Sequence, residues 1–431
     1  MRLHICAGMP AKARVCAYAV LRRVFEDGAY ADRALHGEAK QLDPRDRALA
    51  MRLVYGAVQR KGTLDYLIEC LADRPAQRLD ARLLAALRLG LYELLYLSGA
   101  PDHAVVADGV ELAKGGARGG HGLVNAVLRR GAREGPALLA QLSDETPEQA
   151  AIKHSHPEWI ARLWWEELGA SEARALMACD NEPGEVALRV NTLFTDTKTL
   201  AGELPVPTHT DPDLAEALVL EGPFDAHDSP AWRAGAFLAQ SRGAMRVSRV
   251  LDPQPGERVL DLCAAPGGKS THLAALMGGE GEVVAVERNA RRAGMLTRTA
   301  QRLHVPNIHV EVTDATVKRP EEAVFDRVLV DPPCSGLGTL QARADLRWRV
   351  TPKDVSEMIP IQAAILAAGA GAVRPGGVLV YSTCTISPTE NELQIAAFLD
   401  AHPDFSRDDF MMTLPHRDHT AGFFIARLQR G

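Results

Sequence analysis

Cysteines and acids stand in this chain where short apolar runs end. Asp331-Pro332-Pro333-Cys334 closes Arg327-Val328-Leu329-Val330, and Ser382-Thr383-Cys384 closes Val378-Leu379-Val380-Tyr381. Upstream, Arg258-Val259-Leu260 runs into Asp261-Leu262-Cys263-Ala264-Ala265-Pro266-Gly267-Gly268-Lys269-Ser270. A thiol attacks carbon only as its thiolate, so positive charge, hydrogen bonds or a helix N-terminus must lower its pKa. Cys384 precedes Pro388-Thr389-Glu390-Asn391-Glu392, a pattern that predicts a helix start. The glycines of the upstream loop allow close backbone approach to a bulky ligand where a helix begins. Gly268-Lys269-Ser270 imitates the end of a nucleotide phosphate loop, but that motif needs a glycine five residues earlier, where Cys263 stands. The Gly-x-Gly-x-x-Gly dinucleotide fingerprint is absent. Glu287, after the next apolar run, is placed to accept hydrogen bonds from a ribose diol.

The elements that position these residues alternate in type. Strand-like runs at 258–261, 283–287, 308–312, 327–331 and 378–382 are mostly separated by helix-length segments, which predicts an α/β, parallel, doubly wound sheet over residues 236–431. Before it, helix signals around Trp159–Leu176 and strand-like 186–191 and 217–220 predict a small α+β subdomain over 150–235. Asp144-Glu145-Thr146-Pro147 reads as a linker or helix entry. Residues 1–137 show helical spacing, as in Leu84, Leu87, Leu91, Leu94 and Leu95, and predict an all-α bundle.

Composition bounds the reading. The chain has 431 residues, 46% hydrophobic and 24% charged, as in an ordinary globular protein. Its net charge is −6, yet residues 1–137 carry 21 Lys and Arg against 15 Asp and Glu, leaving 28 of 49 basic and 40 of 55 acidic residues for the remainder. A basic first domain on an acidic chain is a footprint for a polyanion. Arg22, Arg23, Arg60, Lys61, Arg129 and Arg130 either neutralise phosphates or solvate a face. Seven scattered cysteines lack the paired spacings of metal sites or disulfide scaffolds, so reduced thiols and no metal are expected, with Cys16, Cys70 and Cys179 buried and inert. Met1–Val20 lacks an export signal, and Leu83–Leu97, interrupted by Arg88 and Glu93, predicts a buried helix and no membrane span.

The first domain resembles the NusB-like RNA-binding domain in Leu87-Arg88-Leu89-Gly90-Leu91-Tyr92-Glu93-Leu94-Leu95, Pro101 and Gly122-Leu123-Val124-Asn125-Ala126-Val127-Leu128-Arg129; a helical module that only braces the enzyme is the alternative. Asp261-x-Cys-Ala-Ala-Pro-Gly-Gly-Lys, Asp314, Asp331-Pro-Pro-Cys334-Ser-Gly and Thr383-Cys384-x-x-x-Pro388-x-Glu390-Asn391 resemble the RNA 5-methylcytosine methyltransferases. With the NusB-like domain, the resemblance is to the bacterial 16S ribosomal RNA (cytosine-5-)-methyltransferase family called RsmB, Sun or Fmu. It implies a class I methyltransferase domain with S-adenosyl-L-methionine held by Cys263, Ala264, Ala265, Pro266, Gly267, Gly268, Lys269, Glu287, Asp314 and Asp331. It also implies Cys384 as nucleophile toward carbon 6 of cytosine and Cys334 as the thiol assisting product release. Asp331 and Lys269 then either orient the base or serve structure. The implied partner is small-subunit ribosomal RNA, with a cytoplasmic, monomeric enzyme and no obligate protein partner. A transfer-RNA cytosine methyltransferase and a non-catalytic ribosome-assembly factor are the alternatives. Two positions depart from the family pattern: Glu287 replaces a more usual Asp, and Gln240-Ser241 a more usual Gln-Asp. Arg343-Ala344-Asp345-Leu346-Arg347-Trp348-Arg349 either lines the RNA path or forms a loop with Trp348 packed inward.

Overall fold

The computed structural model describes residues 10–116, 119–222, 224–226, 229–317 and 323–431. They form two compact units, Met1–Glu182 with Arg343–Arg349, and Pro183–Ala342 with Val350–Gly431. The boundary at Glu182 falls inside the 150–235 stretch read from the sequence.

The first unit is helical. Lys12–Phe25, Ala31–Glu38, Pro44–Gln59, Lys61–Ala72, Ala81–Tyr96, Asp102–Leu112 and Gly120–Ala140 surround a core that includes Leu53, Leu64, Leu67, Leu87, Leu91 and Leu128. Asp43 and Asp80 cap two of these helices with their carboxylates. Gly56 is required for packing, because the Tyr92 ring occupies the space a Cβ would fill. The two charges inside the apolar 83–97 stretch are paired: Arg88 reaches Asp65 at 2.7 Å, and Glu93 accepts from Arg14 Nε at 2.7 Å. Thr146 caps Pro147–Lys153, so that segment is a helix entry. The helical signal at 159–176 resolves into two helices, Glu158–Leu168 and Ala170–Cys179, broken at Gly169 with φ +80°. Trp164 is buried, while Trp165 carries Arg174 over its ring at 4.9 Å.

Arg343–Arg349 is packed inside this unit. Buried Arg347 donates to the Ser155 carbonyl at 3.1 Å, to Asn181 Oδ1 at 3.0 Å and to the Asp180 carbonyl at 2.9 Å. Trp348 Nε1 donates to the Val58 carbonyl at 2.7 Å, and Arg349 to the Gly28 carbonyl at 2.6 Å. The inward-packed alternative is therefore the one found for Arg347 and Trp348. Arg347 Nη1 and Nη2 and the Trp348 indole N–H are turned to protein acceptors, the Ser155, Asp180 and Val58 carbonyls and Asn181 Oδ1, and are not held out for phosphate or base.

The second unit holds two sheets. In the smaller, β1 (Ala187–Val190), β2 (Thr208–Asp211), β3 (Leu214–Leu220) and β4 (Phe237–Ala239) pair antiparallel in the order β2-β3-β1-β4. In the larger, β5 (Arg258–Leu262), β6 (Glu282–Val286), β7 (Ile308–Glu311), β8 (Phe325–Val330), β9 (Val373–Thr383), β10 (Phe405–Thr413) and β11 (Phe423–Arg430) run in the order β10-β11-β9-β8-β5-β6-β7. The pairs among β5–β9 are parallel, whereas β11 lies antiparallel to both β9 and β10. The sheet is thus mixed: the expected parallel core is extended by a C-terminal antiparallel pair. Helix Pro352–Ala372 is long and apolar enough by composition to cross a membrane, but its Ile365, Leu366, Ala370 and Ala372 belong to the sheet's core cluster. Chain order reverses between β5 and β8, and in open α/β sheets such a switch point opens a crevice at the strands' carboxyl ends.

Candidate active site

The candidate cofactor and thiol residues Cys263, Glu287, Asp314, Asp331, Cys334 and Cys384 all lie shortly after those carboxyl ends. After β5 the chain turns through Cys263, at φ +68°, and Gly267, at φ +101°, into helix Gly268–Leu276. A Cβ on Gly267 would meet Leu296 Cγ at 3.1 Å, so both conformation and space favour glycine. The helix start is held from below by buried Arg189 of β1, which donates to the Gly268 carbonyl, to Thr271 Oγ1 at 2.7 Å and to Gln240 Oε1 at 2.6 Å. Ser241 accepts from the Ala244 amide as the cap of helix Arg242–Leu251, which accounts for a serine at that departure from the family pattern.

A cleft beside this loop is lined by Cys263, Val286, Glu287, Arg292, Asp314, Pro333 and Ile365, among others. Apolar Val286 and Ile365 with acidic Glu287 and Asp314 suit a nucleoside, whose base is apolar on its faces and whose ribose offers two donors. Glu287 is buried; its Oε1 accepts from the Asn289 amide at 2.9 Å, and Oε2 lies 3.5 Å from Arg292 Nη1, so the longer glutamate is accommodated. Asp314 is fixed by Thr316, whose amide and hydroxyl both donate to Oδ1. Asp261 Oδ2 accepts from Ser270 Oγ at 2.6 Å, while buried Oδ1 has no hydrogen-bond partner among the described residues. That orphaned acceptor, the glycine loop and the lined cleft fit the cofactor expected there. Burial pushes the Asp261 carboxyl up to about 7 and the Cys263 thiol up to about 12, so Cys263 is an uncharged thiol.

Beyond β8 and β9 the two motif cysteines meet, with Cys334 Sγ 3.4 Å from Cys384 Sγ. Asp331, which precedes the Pro-Pro turn, accepts from Lys269 Nζ at 2.7 Å and from Ser382 Oγ at 2.9 Å. Burial opposes the Lys269 ammonium, but the Asp331 carboxylate and the charge of Cys384 more than offset it and raise its pKa. The Cys334 thiol is held well above its ordinary value, first by its hydrogen bond with Cys384 and next by burial. Cys334 is thus held toward its protonated form, and Cys384 has the Lys269 ammonium in its field. The helix expected at Pro388 begins instead at Glu392, after a turn through Pro388–Asn391. Positive charge near Cys384 comes from Lys269, a residue 115 positions away that sequence spacing could not pair with it.

Sequence reading assigned no role to Ser382, Arg189, Ser335, Gln362 or Thr385. Glu390 was visible only as part of a motif. Arg22, Arg23, Lys61 and Arg130 pair with Glu26, Glu38, Asp65 and Glu134, Arg129 bonds Asn125, and Arg60 lies over the Tyr96 ring. As a set these cations have local partners of their own.

Comparison with known proteins shows the family and the fold. Residues 248–429 match the family model described as 16S rRNA methyltransferase RsmB/F, residues 11–133 that of the NusB family, and residues 156–227 the RsmF/B-like ferredoxin-like domain. A probable ribosomal RNA small subunit methyltransferase B from Synechocystis sp. is 40% identical, covering 97% of this chain and 99% of that protein. The probable counterpart from Bacillus subtilis is 34% identical, covering 97% and 98%. Among solved structures, PH0851 superposes with a TM-score of 0.82 at 28% identity, covering 98% of this chain and 99% of that one.

Proposed function

The chain belongs to the ribosomal RNA small subunit methyltransferase B family, S-adenosylmethionine-dependent enzymes, and on that premise we propose that it methylates carbon 5 of a cytosine in small-subunit ribosomal RNA through a covalent cysteine–cytosine intermediate. The observation that carries the reading is the pair of motif thiols 3.4 Å apart beside the Lys269–Asp331 ion pair. Carbon 5 of cytosine is too poor a nucleophile to take a methyl group unaided. Cys384 adds as thiolate to carbon 6, and the displaced electron pair makes carbon 5 nucleophilic. Asp331, oriented by Lys269 and Ser382, accepts a hydrogen bond from the cytosine amine and so holds the ring as charge shifts onto it. Cys263, Ala264, Ala265, Pro266, Gly267 and Gly268, with Glu287 and Asp314, would hold S-adenosylmethionine, which would supply the methyl group when bound. Transfer of the carbon 5 proton to solvent water then returns the electron pair and expels the Cys384 sulfur as thiolate, and Cys334, still carrying its proton and already hydrogen-bonded to that sulfur, assists the departure by stabilising the thiolate. The target base must first leave its stack to reach these groups.

The cysteines provide the test. Cys384→Ala should abolish methylation and any covalent complex. Cys334→Ala should attack and methylate, then stall, giving a protein band retarded by RNA on a denaturing gel. The double substitution should lose that band. An adduct in Cys384→Ala and none in Cys334→Ala would reverse the two roles; full activity in both would remove cysteine catalysis. Bisulfite sequencing of small-subunit RNA from cells lacking the protein locates the product.

A further inference from the structure

The residues flanking the two sulfurs are tied together by a buried polar network that the reaction described above does not use. Glu390, 0% exposed, receives three donors: the Ser335 amide at 2.9 Å and Gln362 Nε2 at 3.0 Å on Oε1, and the Ser335 hydroxyl at 2.5 Å on Oε2. With its proton given to Glu390, Ser335 Oγ is left as acceptor for the Thr385 hydroxyl at 2.6 Å, and Thr385 Oγ1 accepts from the Leu337 amide at 3.3 Å. Gln362 Nε2 also donates to the Pro333 carbonyl at 2.9 Å, so both neighbours of Cys334 are held through one carboxylate. The next residue holds both neighbours of Cys384: Thr383 Oγ1 donates to Asn391 Oδ1 at 2.5 Å, and Asn391 Nδ2 to the Thr385 carbonyl at 3.0 Å. Tyr381 hydroxyl fixes the Glu390 carbonyl at 2.7 Å, and the Gly338 amide donates to the Cys384 carbonyl at 3.0 Å.

We infer that Glu390 is the positioning residue for the thiol pair, clamping the Pro333–Leu337 loop onto the loop that carries Cys384 so that the two sulfurs stay within mutual reach. The clamp deepens the covalent-thiol reading and rests on it for its catalytic consequence. Every partner of the carboxylate is a donor, and its ties reach the two residues that flank Cys334, Ser335 directly and Pro333 through Gln362, whereas a carboxylate kept only for stability would need no such address. Its negative charge adds to what keeps the Cys334 thiol protonated, behind the Cys384 hydrogen bond and burial. Loss of the clamp therefore acts on release, where the two sulfurs must cooperate, more than on cofactor binding.

A dithiol probe reads the sulfur separation without requiring catalysis. Phenylarsine oxide condenses with two neighbouring thiols, forming two As–S bonds and releasing water, and a monothiol competitor strips arsenic held by one sulfur. In the full-length protein, Glu390→Ala should lower competitor-resistant capture by about tenfold and kcat by about as much, with S-adenosylmethionine affinity and the KM for RNA within about twofold. Glu390→Gln should fall between, since its oxygen still accepts from the Ser335 amide and Gln362 while its nitrogen confronts the Ser335 hydroxyl. Thr385→Val, close in shape, should lose the Thr385–Ser335 tie alone and show the smallest loss; these two milder variants carry the test if Glu390→Ala does not fold. Wild-type capture and kcat in the folded variants would overturn the clamp. Capture lost with kcat unchanged would leave the clamp standing and instead refute the covalent use of the thiols.

Discussion

Asp261 gives the structure a measurable pH signature. Its carboxyl is 1% exposed, with one oxygen bonded to Ser270 and the other unpartnered, and burial lifts its pKa from 3.8 to about 7; the Asp331 charge adds to the rise, while the Ser270 hydrogen bond and Lys269 oppose it. Below its unfolded pKa the group is protonated in both states and adds no pH dependence. Between the two pKa values only the folded state holds the proton, so stability falls as pH rises, and the loss ends above the folded value. A displacement of about three units corresponds to about 4 kcal/mol in all, of which about 3 kcal/mol falls between about pH 5 and about pH 8. Asp261→Asn keeps an acceptor for Ser270 and cannot titrate. Urea unfolding of both proteins at those two pH values, without ligand, should therefore show a pH-dependent loss larger in the wild type by up to that amount. Asp180, also raised to about 7 by burial, contributes a slope common to both proteins and cancels in the comparison. Equal losses in wild type and variant would refute the assignment of a neutral, buried Asp261.

Gly267→Val places a side chain at φ +101° against Leu296, which should cost about 1–2 kcal/mol in backbone strain alone and remove detectable S-adenosylmethionine binding by calorimetry; tight ATP binding by the wild type would contradict the assignment of the loop. Lys269→Met leaves Asp331 with Ser382 alone; the pair is partly exposed, so the stability loss should be about 1–2 kcal/mol, and the pH profile for alkylation of Cys384 should move up by about one unit. An unchanged profile would exclude Lys269 as the source of thiolate stabilisation. Trp348→Ala removes the indole bond to Val58 and the ring beneath Lys61, and should cost about 2–3 kcal/mol in denaturant melts while cofactor affinity stays constant; no change in the melt would return Trp348 to the candidates for RNA stacking.

Much of the candidate site was legible because Asp261, Glu287, Asp331 and Cys384 lie at or just beyond the ends of apolar runs, and in a doubly wound sheet a strand's carboxyl end is also its place in the site. Strands at 258–261 and 327–331 were recognisable within a residue or two because both faces are covered and the runs are continuously apolar. β10 was missed for the opposite reason: Ser406-Arg407-Asp408-Asp409 is exposed at the sheet edge and carries no apolar alternation. β11 pairs between β10 and β9, an arrangement set by long-range contacts and not by local pattern. The same limit hid the ties from Ser335 to Glu390, 55 residues apart, and from Trp348 to Val58, 290 apart. A hydrogen-bond partner has no sequence period, so polar placement emerges only when the backbone is folded.

The inward-packed Arg343–Arg349 segment also bears on the order in which the polypeptide is made. Synthesis delivers residues 1–182 first, yet Val58, Ser155 and Asp180 then have carbonyls whose eventual donors, on Trp348 and Arg347, have not been translated. An intervening stretch of more than a hundred residues leaves the ribosome before those donors appear. The unit that begins earliest is therefore completed only after most of the other has been translated, and a nascent chain halted before Arg347 should expose an unfinished patch of helical surface for chaperones to hold.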